Sequence, residues 1–276
     1  MDAVVNQAVV LGILITTGIL LRGMTNFDTF AVVAGVSYAF GIYLLYYSLK
    51  KEEPSRVASI VLLSPLFVMI FAFLFLGEAF SLLKYAAIIV LLAGAVVISL
   101  EKSKSKFQFG HVLAFTLLTA VFFAGRDFLM KLSSTGSDIF SSLMWFGIGG
   151  LVVHAVVFAF HHPHIIKKAK KGVSHIAGIS ILVGIAYIFY FSALGIQSAS
   201  IVSSILPLGA MLVFVFATIL SKFHPRFVKE KLDKTDIAIK AIGIALIVFS
   251  WWTCVHLKIQ VNFIDYEFDR WIRGQI

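Results

Sequence analysis

The sequence predicts an all-α polytopic membrane protein, an inverted-topology repeat bundle of about nine transmembrane helices. Three observations predict this class. Of the 276 residues, 60% are hydrophobic and 13% are charged, against roughly 25% charged in soluble domains. Apolar runs with few charges recur along the chain, each near the roughly 20 residues that a helix needs to cross a bilayer. Residues 49–78 also return as a diverged copy at 194–223.

Apolar runs define nine predicted spans. The first run has no basic flank before it and no cleavage pattern after it, so we expect it to be a span rather than a cleaved signal. The spans lie at about 3–22, 28–48, 57–76, 82–100, 110–130, 139–160, 174–195, 200–221 and 235–254.

The duplication needs no gap, and its identical pairs are all 145 residues apart. They include Leu49 and Leu194, Ser55 and Ser200, Val57 and Val202, and Phe71 and Phe216. Corresponding spans are therefore five apart, and an odd separation predicts that the two copies cross the membrane in opposite directions. Many secondary transporters are built in this way, with the solute site between the halves.

The duplication divides the chain into a first repeat at 1–105 with four spans, a second repeat at 106–254 with five, and a tail at 255–276. Small residues in span two, namely Ala31, Gly35 and Ala39, recur in span seven as Ser180 and Gly184. Such a stripe lets helices approach closely, and generic helix packing is a more common reason for it than a solute site. The tail alternates polar and apolar residues to position 263, which predicts an extended segment followed by a short interfacial helix.

The net charge of +9 does not indicate nucleic acid, because the basic residues lie in short loops between apolar runs. Anionic lipid headgroups of the bilayer are the expected partners. Loops after the even-numbered spans hold 15 Lys and Arg, against 7 on the other side. The positive-inside rule then predicts that these loops and the N-terminus are cytoplasmic. The single cysteine, Cys254, provides neither a disulfide nor a thiolate metal cluster.

Short motifs carry a family resemblance. They are Y-x-S-L ending at Leu49, P-S at 54–55, S-P-L-F at 64–67, L-G-E ending at Glu78, and Gly94 in the next helix. Their order and duplication resemble the repeat unit of the drug/metabolite transporter superfamily, EamA type. The resemblance implies five helices per half, a multi-pass cell-membrane location, and secondary transport of a small organic solute, with export the commoner direction. It implies neither enzyme activity nor a cofactor.

The chain departs from that pattern in two places. The helix at 110–130 has no counterpart 145 residues earlier within the sequence, and the second copy reads Ser221-Lys222-Phe223 in place of L-G-E. A non-transporting receptor or assembly protein, or a truncated transporter remnant, therefore stays open as an alternative. A membrane enzyme is a further alternative, although few acid or base residues lie deep enough for it.

Arg126 and Asp127 near the end of span five are the main candidates for binding a charged solute group. Alternatively Asp127 pairs with Lys131, four residues on, while Arg126 extends to the interface. The aromatic candidates for a cavity wall are Tyr43, Tyr46, Tyr187 and Tyr190. Ser64, Ser203, Trp145 and His154 are predicted near the middle depth, and each is equally compatible with hydrogen bonding between helices.

The orientation can be tested by cysteine labelling in intact cells. With Cys254 replaced by Ser, we expect an impermeant reagent to label Gln275→Cys and not Ser103→Cys, because the basic loops lie inside. Labelling of position 103 alone would reverse the orientation. Labelling of both positions, or of neither, would mean that the number of spans is wrong.

Overall fold

A computed structural model describes residues 2–23, 26–52, 54–76, 111–165 and 173–203, with isolated positions between 85 and 94 and between 205 and 249. Within those residues the chain forms eight helices and no strand. They are α1 (Asp2–Arg22), α2 (Thr29–Leu49), α3 (Pro54–Val61), α4 (Ser64–Leu76), α5 (His111–Gly136), α6 (Ile139–Ile165), α7 (Val173–Ile196) and α8 (Ala199–Ser203). The all-α class is confirmed.

The chain divides into two compact units. The first comprises Met1–Glu78 and Phe107–Ser203, and the second comprises Ala79–Lys106 and Ser204–Ile276. All eight helices belong to the first unit, which thus combines elements of both predicted repeats. Other predicted regions lie mostly or wholly outside the described residues. They are most of the spans predicted at 82–100, 200–221 and 235–254, the lysine-rich loops at 102–106 and 167–171, and the tail.

Four described helices are long and apolar enough to cross a membrane. They are Thr29–Leu49, His111–Gly136, Ile139–Phe160 and Gly178–Ile196, and the apolar helices Asn6–Arg22 and Ser64–Phe75 are shorter. The four long helices match the spans predicted at 28–48, 110–130, 139–160 and 174–195. The structure is therefore that of a polytopic membrane bundle.

The span predicted at 57–76 is divided between two helices, α3 and α4, rather than formed by one. The amide of Leu63 bonds to the carbonyl oxygen of Ile60 at 3.0 Å, one residue short of the α-helical spacing. Pro65 explains the break, since it has no N–H to continue the ladder and its ring would meet the carbonyl of Val61. The bundle thus contains a discontinuous helix.

Corresponding helices of the two repeats run in opposite directions. The C-terminal half of α5 contacts the N-terminal cap of α2, where Ser133 Oγ donates to Asp28 Oδ2 at 2.6 Å. It also contacts the C-terminal end of α7, where Lys131 Nζ donates to the carbonyl of Leu194 at 3.0 Å. Because the start of α2 and the end of α7 lie at the same end of α5, these two helices are inverted. The starts of α3 and α8 are also 145 residues apart.

The predicted small-residue stripe lies where helices cross. A Cβ added to Gly35 on α2 would meet the backbone of α6, including the amide nitrogen of Gly150 at 2.7 Å. On α7, a Cβ at Gly184 would lie 3.1 Å from the side chain of Ile13 on α1. The stripe therefore serves helix packing in both repeats, between α2 and α6 and between α7 and α1.

Valine at Gly35 tests this crossing. We expect Gly35→Val to lower the free energy of unfolding by about 1–3 kcal/mol or more, because the rigid backbone of α6 cannot move aside as a flexible side chain would. Thermal unfolding in detergent measures the change. Gly12→Val on α1 is the matched control, since nothing lies within 4 Å of a Cβ added there. Equal unfolding temperatures for the two variants would contradict the close crossing.

Candidate functional site

A buried ion pair lies on α5. Arg126 Nε donates to Asp127 Oδ1 at 2.8 Å, and a terminal guanidinium nitrogen lies 2.7 Å from the same oxygen. The residues are 4% and 0% exposed. From α7, the hydroxyl of Tyr190 donates to Asp127 Oδ2 at 2.8 Å. Both carboxylate oxygens are thus paired, as burial of a charge requires.

The guanidinium lies among five aromatic rings, which we call the aromatic cage. Ring centroids lie between 5.1 and 5.9 Å from Arg126 Cζ, and the rings are those of Phe123, Tyr38, Tyr187, Tyr190 and Phe191. These distances suit cation–π attraction. The Tyr187 hydroxyl also lies 3.4 Å from a terminal nitrogen of Arg126. The cage draws on α2, α5 and α7, and so on both repeats.

The predicted pair between Asp127 and Lys131 is wrong, and Arg126 does not extend to the interface. Lys131 Nζ instead donates to the carbonyls of Leu194 and Gln197, at 3.0 and 2.8 Å. The carbonyl end of a helix carries partial negative charge and accepts such cations. With Lys131 bonded to the end of α7, the neighbouring Arg126 is the cation that compensates Asp127.

Sequence reasoning found four members of the site, Arg126, Asp127, Tyr187 and Tyr190, and missed three rings. Phe123 precedes Arg126 by three residues and Phe191 follows Tyr187 by four, so helical spacing places each on the face of a predicted residue. That spacing was a usable signal. Tyr38 on α2 carries no comparable signal, because its position depends on which helices pack together. Its hydroxyl donates to Gln7 Oε1 on α1 at 2.6 Å.

Tyr43 and His154 form a separate pair on α2 and α6. Their ring centroids are 5.2 Å apart, and Tyr43 lies more than one turn along α2 from Tyr38. His154 Nδ1 lies 2.8 Å from the carbonyl oxygen of Gly150, so Nδ1 donates and Nε2 is left as an acceptor. Nε2 and the Tyr43 hydroxyl are both buried without a hydrogen-bond partner. Tyr43 therefore packs against His154, whereas Tyr187 and Tyr190 border the guanidinium of Arg126.

The other predicted residues make different contacts. Tyr46 packs at the edge of the hydrophobic core, and Ser64 is buried at the start of α4. The Oγ of Ser203, at the end of α8, donates to the carbonyl of Ser200 at 3.3 Å. The predicted middle depth is wrong for Trp145, whose Nε1 donates to the carbonyl of Asn26 in the α1–α2 connection at 2.8 Å. Trp145 lies fewer than two turns from the start of α6, which explains its position near the helix ends.

The fold and the site define a class: an inverted-repeat membrane bundle with a paired charge between the repeats. Residues 3–100 match the EamA-like transporter family, and this match confirms the resemblance of the first repeat to the EamA-type drug/metabolite transporters. The family consists of membrane transporters of small solutes. Among the described residues, no group of three or more His, Cys, Asp or Glu could hold a metal ion.

A solved structure described only as "Crystal structure of protein" has the same fold. It superposes with a TM-score of 0.72 over 95% of this chain and 90% of its own, at 17% sequence identity. At that identity the likeness shows the fold alone. A comparison with curated proteins finds no match.

The ion pair predicts an asymmetry between single and double substitutions. We expect Asp127→Asn to lower the free energy of unfolding by about 3–5 kcal/mol, because Arg126 is left buried without its counter-ion. Replacing both residues, as Arg126→Met with Asp127→Leu, removes the unpaired charge and is expected to recover most of that loss. Detergent unfolding curves of the three proteins measure this. A double variant as unstable as the single one would show that the charges are not coupled.

Proposed function

We propose that this protein is a secondary transporter that exports a small organic metabolite by alternating access between its two inverted repeats. The observation that carries the proposal is the Arg126–Asp127 pair inside the aromatic cage. Polar groups within a membrane bundle are costly and mark solute pathways by default. The cage lies between helices of both repeats, where a relative movement of the repeats would change its walls. Inverted-repeat transporters bind their solutes at such a junction.

The pairing also favours one substrate class. Taken alone, Arg126 suits an anionic or a zwitterionic group equally. Because Arg126 is bonded to Asp127, a ligand that separates them must supply a negative group to the first and a positive group to the second. A net anion would leave the carboxylate without a positive partner, and a net cation would leave the guanidinium without a negative one. Either unpaired charge costs several kcal/mol in a buried site. We therefore propose a zwitterion.

The aromatic walls add a second requirement. Three of the five cage rings are tyrosines, which present an apolar face and one hydroxyl each. Such walls favour a ligand with an apolar or aromatic body and few polar groups. An amino acid with an aromatic side chain meets both requirements, and we take it as the probe for this class.

Three solutes of similar size and different charge test the proposal: phenylalanine, phenethylamine and 3-phenylpropionate. In proteoliposomes we expect saturable flux of phenylalanine at least tenfold faster than that of the amine or the acid. We expect Arg126→Lys to reduce that flux at least tenfold, since lysine keeps the charge but loses the planar fork. Thr135→Ala is the control, because Thr135 is exposed on the same helix and bonds only within it, to Leu132.

The outcomes separate the parts of the proposal. Equal flux of all three solutes would contradict the zwitterion. Flux of the amine alone would indicate a cationic substrate, and flux of the acid alone would indicate an anionic one. If neither these solutes nor a broad panel of labelled metabolites shows saturable flux, transport is contradicted. A receptor or an assembly role is then favoured.

A further inference from the structure

Five polar residues join the helix ends on one side of the bundle, and we call them the gate cluster. They lie at the end of α1, at the start of α2, near the end of α5, before α6 and in the first turn of α6. The cluster consists of Arg22, Asp28, Ser133, Asp138 and Ser142. Its contacts connect helices of the first repeat to helices of the second.

The outer layer of the gate cluster is an ion pair. Arg22 Nε donates to Asp138 Oδ2 at 3.1 Å and a terminal nitrogen donates to Oδ1 at 3.0 Å, which is the two-point geometry of a strong contact. The side chains are nevertheless 56% and 32% exposed. Exposed pairs exchange readily with water, so this contact can break without leaving a buried charge.

The inner layer is buried beneath that pair. Asp28 accepts the amide of Ala31 at 3.0 Å and the hydroxyl of Ser133 at 2.6 Å. Ser142 Oγ lies 2.5 Å from Ser133 Oγ and 3.4 Å from Asp28 Oδ2. Asp28, Ser133 and Ser142 are 7%, 2% and 0% exposed. One carboxylate thus holds the start of α2 to α5 and α6 through groups that water could replace.

The central carboxylate of the gate cluster has no counterpart in the second copy of the repeat. The residue 145 positions after Asp28 is Val173, which cannot accept a hydrogen bond through its side chain. The repeat fold therefore does not require a carboxylate at this position. A carboxylate that only the first copy carries at this position makes the start of α2 chemically different from the start of α7.

Helix α5 connects the gate cluster to the aromatic cage. Asp127 and Ser133 are six residues apart on α5, about 9 Å along the helix axis, and Met130 lies between them with 0% exposure. We propose that the gate cluster is the latch that closes this end of the bundle above the cage, and that its opening exposes the cage to that side. This inference rests on the alternating-access function proposed above.

Charge exchange tests the latch without any substrate. The reporter is Met130→Cys with Cys254→Ser in nanodiscs, where a membrane-impermeant thiol reagent reaches both faces. We expect Arg22→Asp or Asp138→Arg alone to raise the labelling rate of Cys at 130 at least fivefold. The combined exchange, Arg22→Asp with Asp138→Arg, restores an ion pair and is expected to return the rate to its original value. Thr135→Ala, exposed at the same end, is the control.

Several results would overturn the latch. The latch is contradicted if all variants are labelled at the same rate. It is also contradicted if the variant with both charges exchanged is labelled as fast as the single variants. Leu143→Cys, at a position that is 0% exposed on α6, serves as a second reporter if Met130→Cys does not fold. Labelling requires no transport. Saturable flux with unchanged labelling would refute the latch alone, and restored labelling without any flux would refute the transport function while the latch stands.

Discussion

A charge buried within a membrane bundle must find its partner inside the protein, and Arg126 with Asp127 satisfies that requirement on a single helix. No bulk water is available in the hydrocarbon region to solvate either group. The guanidinium is therefore held by the carboxylate and by aromatic faces, while Tyr190 supplies a hydroxyl to the remaining oxygen. These partners come from α2 and α7 as well as from α5 itself, so the pair is satisfied only when α2 and α7 pack against α5.

Bringing those helices together depends on backbone contact. Membrane helices gain no hydrophobic driving force from meeting, so close packing of small residues supplies much of the attraction. Gly35 lets α2 approach α6, and Gly184 lets α7 approach α1. These crossings are equivalent under the internal duplication. The fold therefore places α2 and α7 symmetrically, while the charge lies on α5, which corresponds to no other described helix under the duplication.

Much of this arrangement could be predicted from the sequence, because repeats, apolar runs and rare intramembrane charges are local signals. Arg126 and Asp127 were found as the charged residues within an apolar run. The partner of Asp127 was not found, because the i, i+4 spacing favoured Lys131. Lys131 bonds instead to the carbonyl end of α7, and the sequence does not show where that end lies. Tyr38 and the inner residues of the gate cluster were missed for the same reason. Their neighbours come from other helices, and a sequence without helix contacts does not contain that information.

The contacts of α5 differ in kind on its two sides. Towards α7 it is bonded at two levels about one turn apart, through Asp127 with Tyr190 and through Lys131 with the final carbonyls. Towards α2 and α6, the described hydrogen bonds of its C-terminal half converge on one carboxylate, Asp28. Each side has a hydroxyl bonded to a buried carboxylate, and the α7 side adds the ammonium of Lys131 on the final carbonyls. Because that cation is costly to strip of its partners, the contacts to α7 resist separation more. A movement that opens this end would therefore carry α5 and α7 together, with the ion pair intact between them.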